Sequence, residues 1–150
     1  MSSRRAVLAL LAAVPLLPLA RPARAASEEV FAEGGIAIRG ADPVGYFREG
    51  GPVAGSAAHR LMWRGAVWHF ASAANLAAFE GDPVRFAPRY GGYCAFALAR
   101  GALAPTVPDA FTIHEGRLYL NYSLGIRSLW QADLQGHIRA ADGHWPQILG

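Results

Sequence analysis

The stretch Leu61-Met62-Trp63-Arg64-Gly65-Ala66-Val67-Trp68-His69-Phe70-Ala71-Ser72-Ala73-Ala74-Asn75-Leu76 carries two apolar runs, a two-residue turn and a helix start in immediate succession. Arg64-Gly65 between Leu61–Trp63 and Ala66–Phe70 is a hairpin signal, because a glycine at the second turn position accepts the positive φ that a tight reversal requires. Side chains alternate across a strand, so Ala66, Trp68 and Phe70 share one face while Val67 and His69 take the other. Ser72 then stands where a hydroxyl can accept from an unpaired helix N–H, and a helix is expected over about Ala73 to Glu80. Its Leu76 and Phe79 point inward, and Gly81-Asp82-Pro83 ends it.

Working outward, Ile36–Arg39 and Val44–Phe47 read as short strands separated by Gly40-Ala41-Asp42-Pro43, where Asp before Pro favours a turn. A helical turn is expected through Val84, Phe86 and Ala87. Tyr90-Gly91-Gly92 feeds a small-residue helix through Cys94-Ala95-Phe96-Ala97-Leu98-Ala99, closed by Gly101. Phe111–Ile113 and Leu118–Tyr122 form a second hairpin across His114-Glu115-Gly116-Arg117, and Ile126, Leu129, Trp130, Leu134 and Ile138 recur at helical spacing. These elements predict an α+β fold, a single small domain of antiparallel hairpins interleaved with short helices and ending in a helical C-terminus.

The chain has 150 residues, with 53% hydrophobic and 17% charged, which suits one packed domain and argues against a disordered acidic or basic tail. Arg4-Arg5, the apolar run Ala6–Ala20 and Ala23-Arg24-Ala25 have the basic, apolar and small-residue sections of a cleavable export signal over residues 1–25. The run is short of the about 20 apolar residues that span a bilayer, so no membrane anchor is expected after cleavage. The twin arginines suggest the route that exports folded proteins. Residues 26–33 then form a loose lead-in and residues 34–150 the domain. The signal removes four of the 14 basic residues and none of the 11 acidic ones, so a formal charge of +3 becomes −1. Without its signal the chain has no basic excess for a polyanion, and nucleic acid is excluded as an expected partner. One cysteine, Cys94, permits no internal disulfide.

Asp42-Pro43-Val44-Gly45-Tyr46-Phe47, Val67–Asn75, Phe79–Pro88, Tyr90-Gly91-Gly92-Tyr93-Cys94-Ala95 and Leu118-Tyr119-Leu120-Asn121-Tyr122 together resemble the exported YHS domain-containing (seleno)protein family, in order from about Gly34 to Trp145. The resemblance implies a bacterial envelope protein, periplasmic or secreted, related to YHS and TRASH-like modules associated with heavy metals. Cysteine-bearing members of those modules place thiols at positions matching Gly45, Ala71 and Asn75, and none of these can supply a thiolate here. Their sulfur-rich metal site therefore does not carry over. Selenocysteine-bearing members place that residue at the position of Cys94, which implies redox chemistry or soft-metal ligation.

Cys94 also has a local argument, since a thiol in the first turn of a helix opening near Gly92 meets unpaired N–H groups. The alternative is a small buried side chain. His69, set off the Trp68/Phe70 face, is a candidate partner; His59, His114, His137 and His144 form no local metal motif. Tyr90, Tyr93 and Tyr119, with Tyr46 and Tyr122, suggest a phenol-lined pocket around Cys94 or, alternatively, ordinary packing. Asp42, Asp82 and Asp109 are the acids a nucleophilic arrangement would draw on. Three readings follow. The first is a non-enzymatic binding module in which Cys94 and His69 hold a soft metal ion such as copper, or a small ligand. The second is a thiol redox protein whose Cys94 is resolved by an external thiol. The third is an interaction module with an envelope protein partner and a structural cysteine.

Overall fold

A computed structural model of the protein describes residues 13–19 and 26–150. The twin arginines and the Ala23-Arg24-Ala25 cleavage motif lie outside the described residues. Among the described residues no helix is long and apolar enough to cross a membrane.

The fold is mixed α+β, with two small sheets and six α-helices among the described residues. Strands β1 (Ala32–Glu33), β2 (Ile36–Ala37), β3 (Ser56–Trp63) and β4 (Ala66–Phe70) form the first sheet in the order β1-β2-β4-β3. The β3–β4 hairpin turns at Arg64 and Gly65, both at positive φ, as a tight two-residue reversal demands. Ala66, Trp68 and Phe70 are buried on one face, as the alternation predicts. One contact departs from the expected all-antiparallel pattern: β2 lies parallel to β4, with Ile36 beside Val67. Strands β5 (Phe111–His114) and β6 (Arg117–Leu120) form the second hairpin.

Helix α1 (Gly45–Glu49) occupies most of the segment Val44–Phe47 that reads as a strand. The physical reason is the Asp42 carboxylate, whose Oδ1 accepts from the Val44 and Gly45 N–H groups at 2.8 and 3.2 Å. That side chain satisfies donors that a strand would have had to pair with a neighbour. Ile36–Arg39 is likewise a strand only at Ile36–Ala37; the chain then coils through Ile38–Gly40. Helix α2 (Ala73–Gly81) begins as expected, with Ser72 accepting from the Asn75 N–H, and α3 (Pro83–Phe86) follows on an Asp82 cap. Helix α4 (Ala95–Ala99) starts one residue beyond Cys94, so the cysteine is its N-cap and not part of its first turn. The apolar pattern from Ser123 divides into α5 (Leu124–Ala132) and α6 (Leu134–His144), because Asp133 leaves helical geometry and accepts from the Gly136 N–H to start the second helix.

Two apolar clusters fill the interior. The first is aromatic, with Phe79 of α2 lying 5.4, 5.3 and 5.1 Å from the rings of Trp63, Trp68 and Phe70. The second gathers Tyr90, Ala95, Leu98, Tyr119, Trp130 and Ala141 where α4, α5 and α6 meet the second hairpin. Residues 26–33 are not loose. Val30 and Phe31 are buried in the first cluster, the Phe31 N–H donates to the Gly91 carbonyl, and the Ser27 N–H donates to the Leu149 carbonyl.

Asp42 is fully buried and its second oxygen accepts from the Ala71 N–H and the Asn75 amide, both at 2.8 Å. Asn75 in turn accepts from the Arg48 guanidinium at 2.8 Å. Asp42→Asn turns one of two acceptor oxygens into a donor facing other donors. It should cost about 3 kcal/mol or more, read as a lower urea midpoint at unchanged slope.

Candidate functional site

Cys94 is almost fully buried, at 1% exposure. Its Sγ accepts from the Tyr122 N–H at 3.3 Å, and the thiol lies 3.5 Å from Asn121 Oδ1, which also accepts from the Phe96 N–H at 3.0 Å. The cysteine therefore joins the start of α4 to the end of β6 through a small polar knot, and both hydrogen-bonding capacities of its thiol are in use. No carboxylate or imidazole stands among these hydrogen-bond partners, and no group of three or more His, Cys, Asp or Glu side chains suited to a metal occurs among the described residues.

Among the tyrosines expected around the thiol, the hydroxyls of Tyr46, Tyr90 and Tyr93 bond to other partners. Tyr90 donates to Asp142 Oδ1 at 2.9 Å and sits 6.0 Å from Tyr119, whose ring packs 5.2 Å from Trp130. Tyr93 donates to the Glu28 carbonyl and packs against Phe31 and Trp145, tying residues 26–33 down. Tyr46 donates to the Pro108 carbonyl at 2.8 Å. Burial, reinforced by the Asp142 acceptor, pushes the Tyr90 phenol far above its usual value, and burial with the nearby Asp109 charge does the same to Tyr46.

His69 is placed apart from Cys94, in an open cleft of about 630 Å³ whose lining does not include the cysteine. The cleft is walled by Ile36, Pro52, Val53 and Pro108, and its polar groups are Arg39, His69, Glu33 and Asp109. Three features of the backbone shape it. Segment 52–55 runs antiparallel to residues 40–42, through the Asp42 N–H to the Val53 carbonyl and the Gly55 N–H to the Gly40 carbonyl. Gly55 lies so close to the His69 backbone that a Cβ there would collide with it. Between Ser56 and Arg60, β3 bulges away from its partner beside His69, the kind of irregularity that frees a side chain from a sheet.

Arg39 and Gly40 also line the cleft, at the end of Ile38-Arg39-Gly40, three consecutive residues with φ of 42°, 57° and 78°. A β-branched residue at positive φ is strained, and here Ile38 is held in place by burial against Gly92. The coil delivers Arg39 to the cleft, where its Nε donates to the Thr106 carbonyl at 2.9 Å and its guanidinium stands 3.3 Å from Glu33. Arg39 escapes sequence reasoning, because nothing in Ile38-Arg39-Gly40 marks a left-handed run apart from the final glycine.

Compared with protein-family models, curated proteins and solved structures, the chain matches none. The remaining histidines are dispersed: His59 sits in the β3 bulge, His114 faces Glu115 at 3.8 Å, His137 packs on Phe96 with Nδ1 2.9 Å from the Trp130 carbonyl, and His144 is exposed.

Two measurements follow. Alkylation of Cys94 in the folded protein should proceed no faster than unfolding and stop depending on reagent concentration once unfolding limits it; rapid labelling under native conditions would show an accessible thiol. Because the Tyr46 and Tyr90 phenols are raised in the folded state, folding retains protons that the unfolded chain releases. Stability should therefore be complete below about pH 10, the ordinary phenol value, and fall as pH rises beyond it. Phenolate absorbance for these two rings should appear together with unfolding.

Proposed function

We propose that the protein is a non-catalytic ligand-binding module of the bacterial envelope, YHS-like in its motifs, whose ligand occupies the Arg39/His69 cleft while Cys94 is structural. The observation that carries this reading is the left-handed run Ile38–Gly40. Strained backbone of this kind costs on the order of 1–3 kcal/mol per residue and is retained chiefly at ligand clamps and active sites; here it puts Arg39 in the lining of the same cleft as His69. Apolar walls with a few convergent polar groups suit a small organic molecule with an apolar body and an acceptor-bearing polar end.

The YHS-like reading has structural support of its own. The positions matching the thiols of cysteine-bearing modules, Gly45, Ala71 and Asn75, converge on one point, each giving an N–H to the Asp42 carboxylate. A buried carboxylate therefore stands among the positions that the resemblance matches to thiols, which supports the reading without a metal centre there. Envelope location is supported by the three-part N-terminal pattern over residues 1–25. A redox cycle at Cys94 is less well supported, since an external resolving thiol would have to reach a sulfur that is 1% exposed.

The test is native mass spectrometry and elemental analysis of protein recovered from its own envelope. A small molecule should accompany the wild type and Cys94→Ser, and be lost from Arg39→Gln and His69→Ala variants that melt like the wild type. Stoichiometric metal that disappears in Cys94→Ser would overturn the reading in favour of a thiolate metal site, and absence of any bound species would remove its basis.

A further inference from the structure

A second recess lies at the junction of the β3–β4 turn, the loop after α3, the start of β6 and the end of α6. It holds about 80 Å³, and its lining includes Arg64, Arg89 and Arg117 together with Trp63, Trp145 and Gly91. No carboxylate belongs to this lining. Two acidic groups touch the arginines from outside: Glu29 lies 3.4 Å from Arg64 and Asp142 3.3 Å from Arg89. Asp142 Oδ1 also takes the Tyr90 hydroxyl, so its charge is divided between two donors. Glu115, in the same turn as Arg117, lines a different recess with His114 and Tyr119. Arg117 itself forms no ion pair among the described residues. Arg89 Nε is buried without a hydrogen-bond partner, while the Nη2 end of its guanidinium is the part that reaches Asp142.

We propose that Arg64, Arg89 and Arg117 form a binding site for a phosphate group. Three arginines in the lining of one recess, against two carboxylates outside it, leave an excess of positive charge in a concave, aromatic-walled space. Guanidinium forks match the oxygen pairs of phosphate, and three of them arriving from three separate elements suit a tetrahedral oxyanion better than a planar carboxylate with two oxygens. The volume, a few times that of one water, takes a single phosphate-sized group with the rest of any larger molecule outside. Val84, on the rim and 53% exposed, would meet that remainder. The site is separate from the Arg39/His69 cleft and stands whether or not that cleft binds a ligand.

Trp63 and Trp145 supply the readout. Inorganic phosphate titrated into the folded protein at constant ionic strength, with chloride as the balancing anion, should change tryptophan fluorescence saturably. Arg117→Gln should weaken binding about tenfold or more, the loss expected for one charge-assisted contact, without lowering the melting temperature. Arg60→Gln, an exposed arginine of β3 outside the recess, should bind as the wild type does. Phosphatidylcholine vesicles with and without phosphatidic acid separate the sources: retention on the acidic vesicles, competed by free phosphate, identifies a lipid headgroup, and phosphate binding without retention identifies a soluble phosphate. No saturable response to phosphate and no retention on either vesicle would overturn the proposal, as would an Arg117→Gln affinity equal to that of Arg60→Gln.

Discussion

The buried carboxylate of Asp42 is the constraint on which the rest of the first core depends. A charge-bearing group can be taken out of water only where donors surround it, and Asp42 has four, from Val44, Gly45, Ala71 and Asn75. The four donors come from three different parts of the architecture: the start of α1, the end of β4 and the start of α2. Satisfying one side chain therefore sets where the strand stops, where two helices start and how they face each other. Gly45 is required at this point because a Cβ would press on Val53 at 2.9 Å, and Val53 is the residue whose carbonyl receives the Asp42 N–H. The loop that walls the cleft is thus held by the same residue that organises the core.

A second buried polar group plays the equivalent part in the other half of the molecule. Asn121 is fully buried, pairs its backbone with Val107 and Ala110, and caps the beginning of α4 through its side chain. Cys94 completes this knot. Its sulfur accepts the Tyr122 N–H and its backbone N–H donates to the Ala104 carbonyl, so the chain is joined across the 104–110 loop. A thiol suits this role because it is small, tolerates burial and forms weak hydrogen bonds that need no solvent. The reactivity suggested by a lone cysteine near a helix start is opposed by its burial, at 1% exposure.

The two concave surfaces share a mode of construction. In each, a run of left-handed residues, Ile38–Gly40 in one and Tyr90–Gly92 in the other, turns the chain sharply enough to set an arginine beside the opening. The runs also touch, with Ile38 packed against Gly92 and Thr106 bonded both to Arg39 and to the Gly92 carbonyl. Strain in one coil is therefore supported by the other, and Thr106, buried at 2% exposure, bridges them, its carbonyl accepting from Arg39 and its hydroxyl donating to the Gly92 carbonyl.

Local chemistry was legible in the amino-acid sequence wherever neighbours in the chain decide the outcome. The Arg64-Gly65 and Glu115-Gly116 turns, the Ser72 cap, the face carrying Trp68 and Phe70, and the exclusion of His69 from that face all follow from short-range sterics and alternation. Val44–Phe47 misled because its apolar content suits a strand equally well, and only a carboxylate folded back onto its own backbone decides for the helix. The break between α5 and α6 was hidden in the same way, since helical spacing passes through Asp133 without interruption. The candidate site was legible only in part: His69 was visible as an imidazole set outside the core, but its partner was not. Arg39 reaches the cleft through backbone conformations that burial of Ile38 enforces, and Cys94 is sealed by Asn121 and Tyr122, residues distant in the chain. Accessibility and the convergence of charged groups are properties of packing, and only the tertiary structure could decide them.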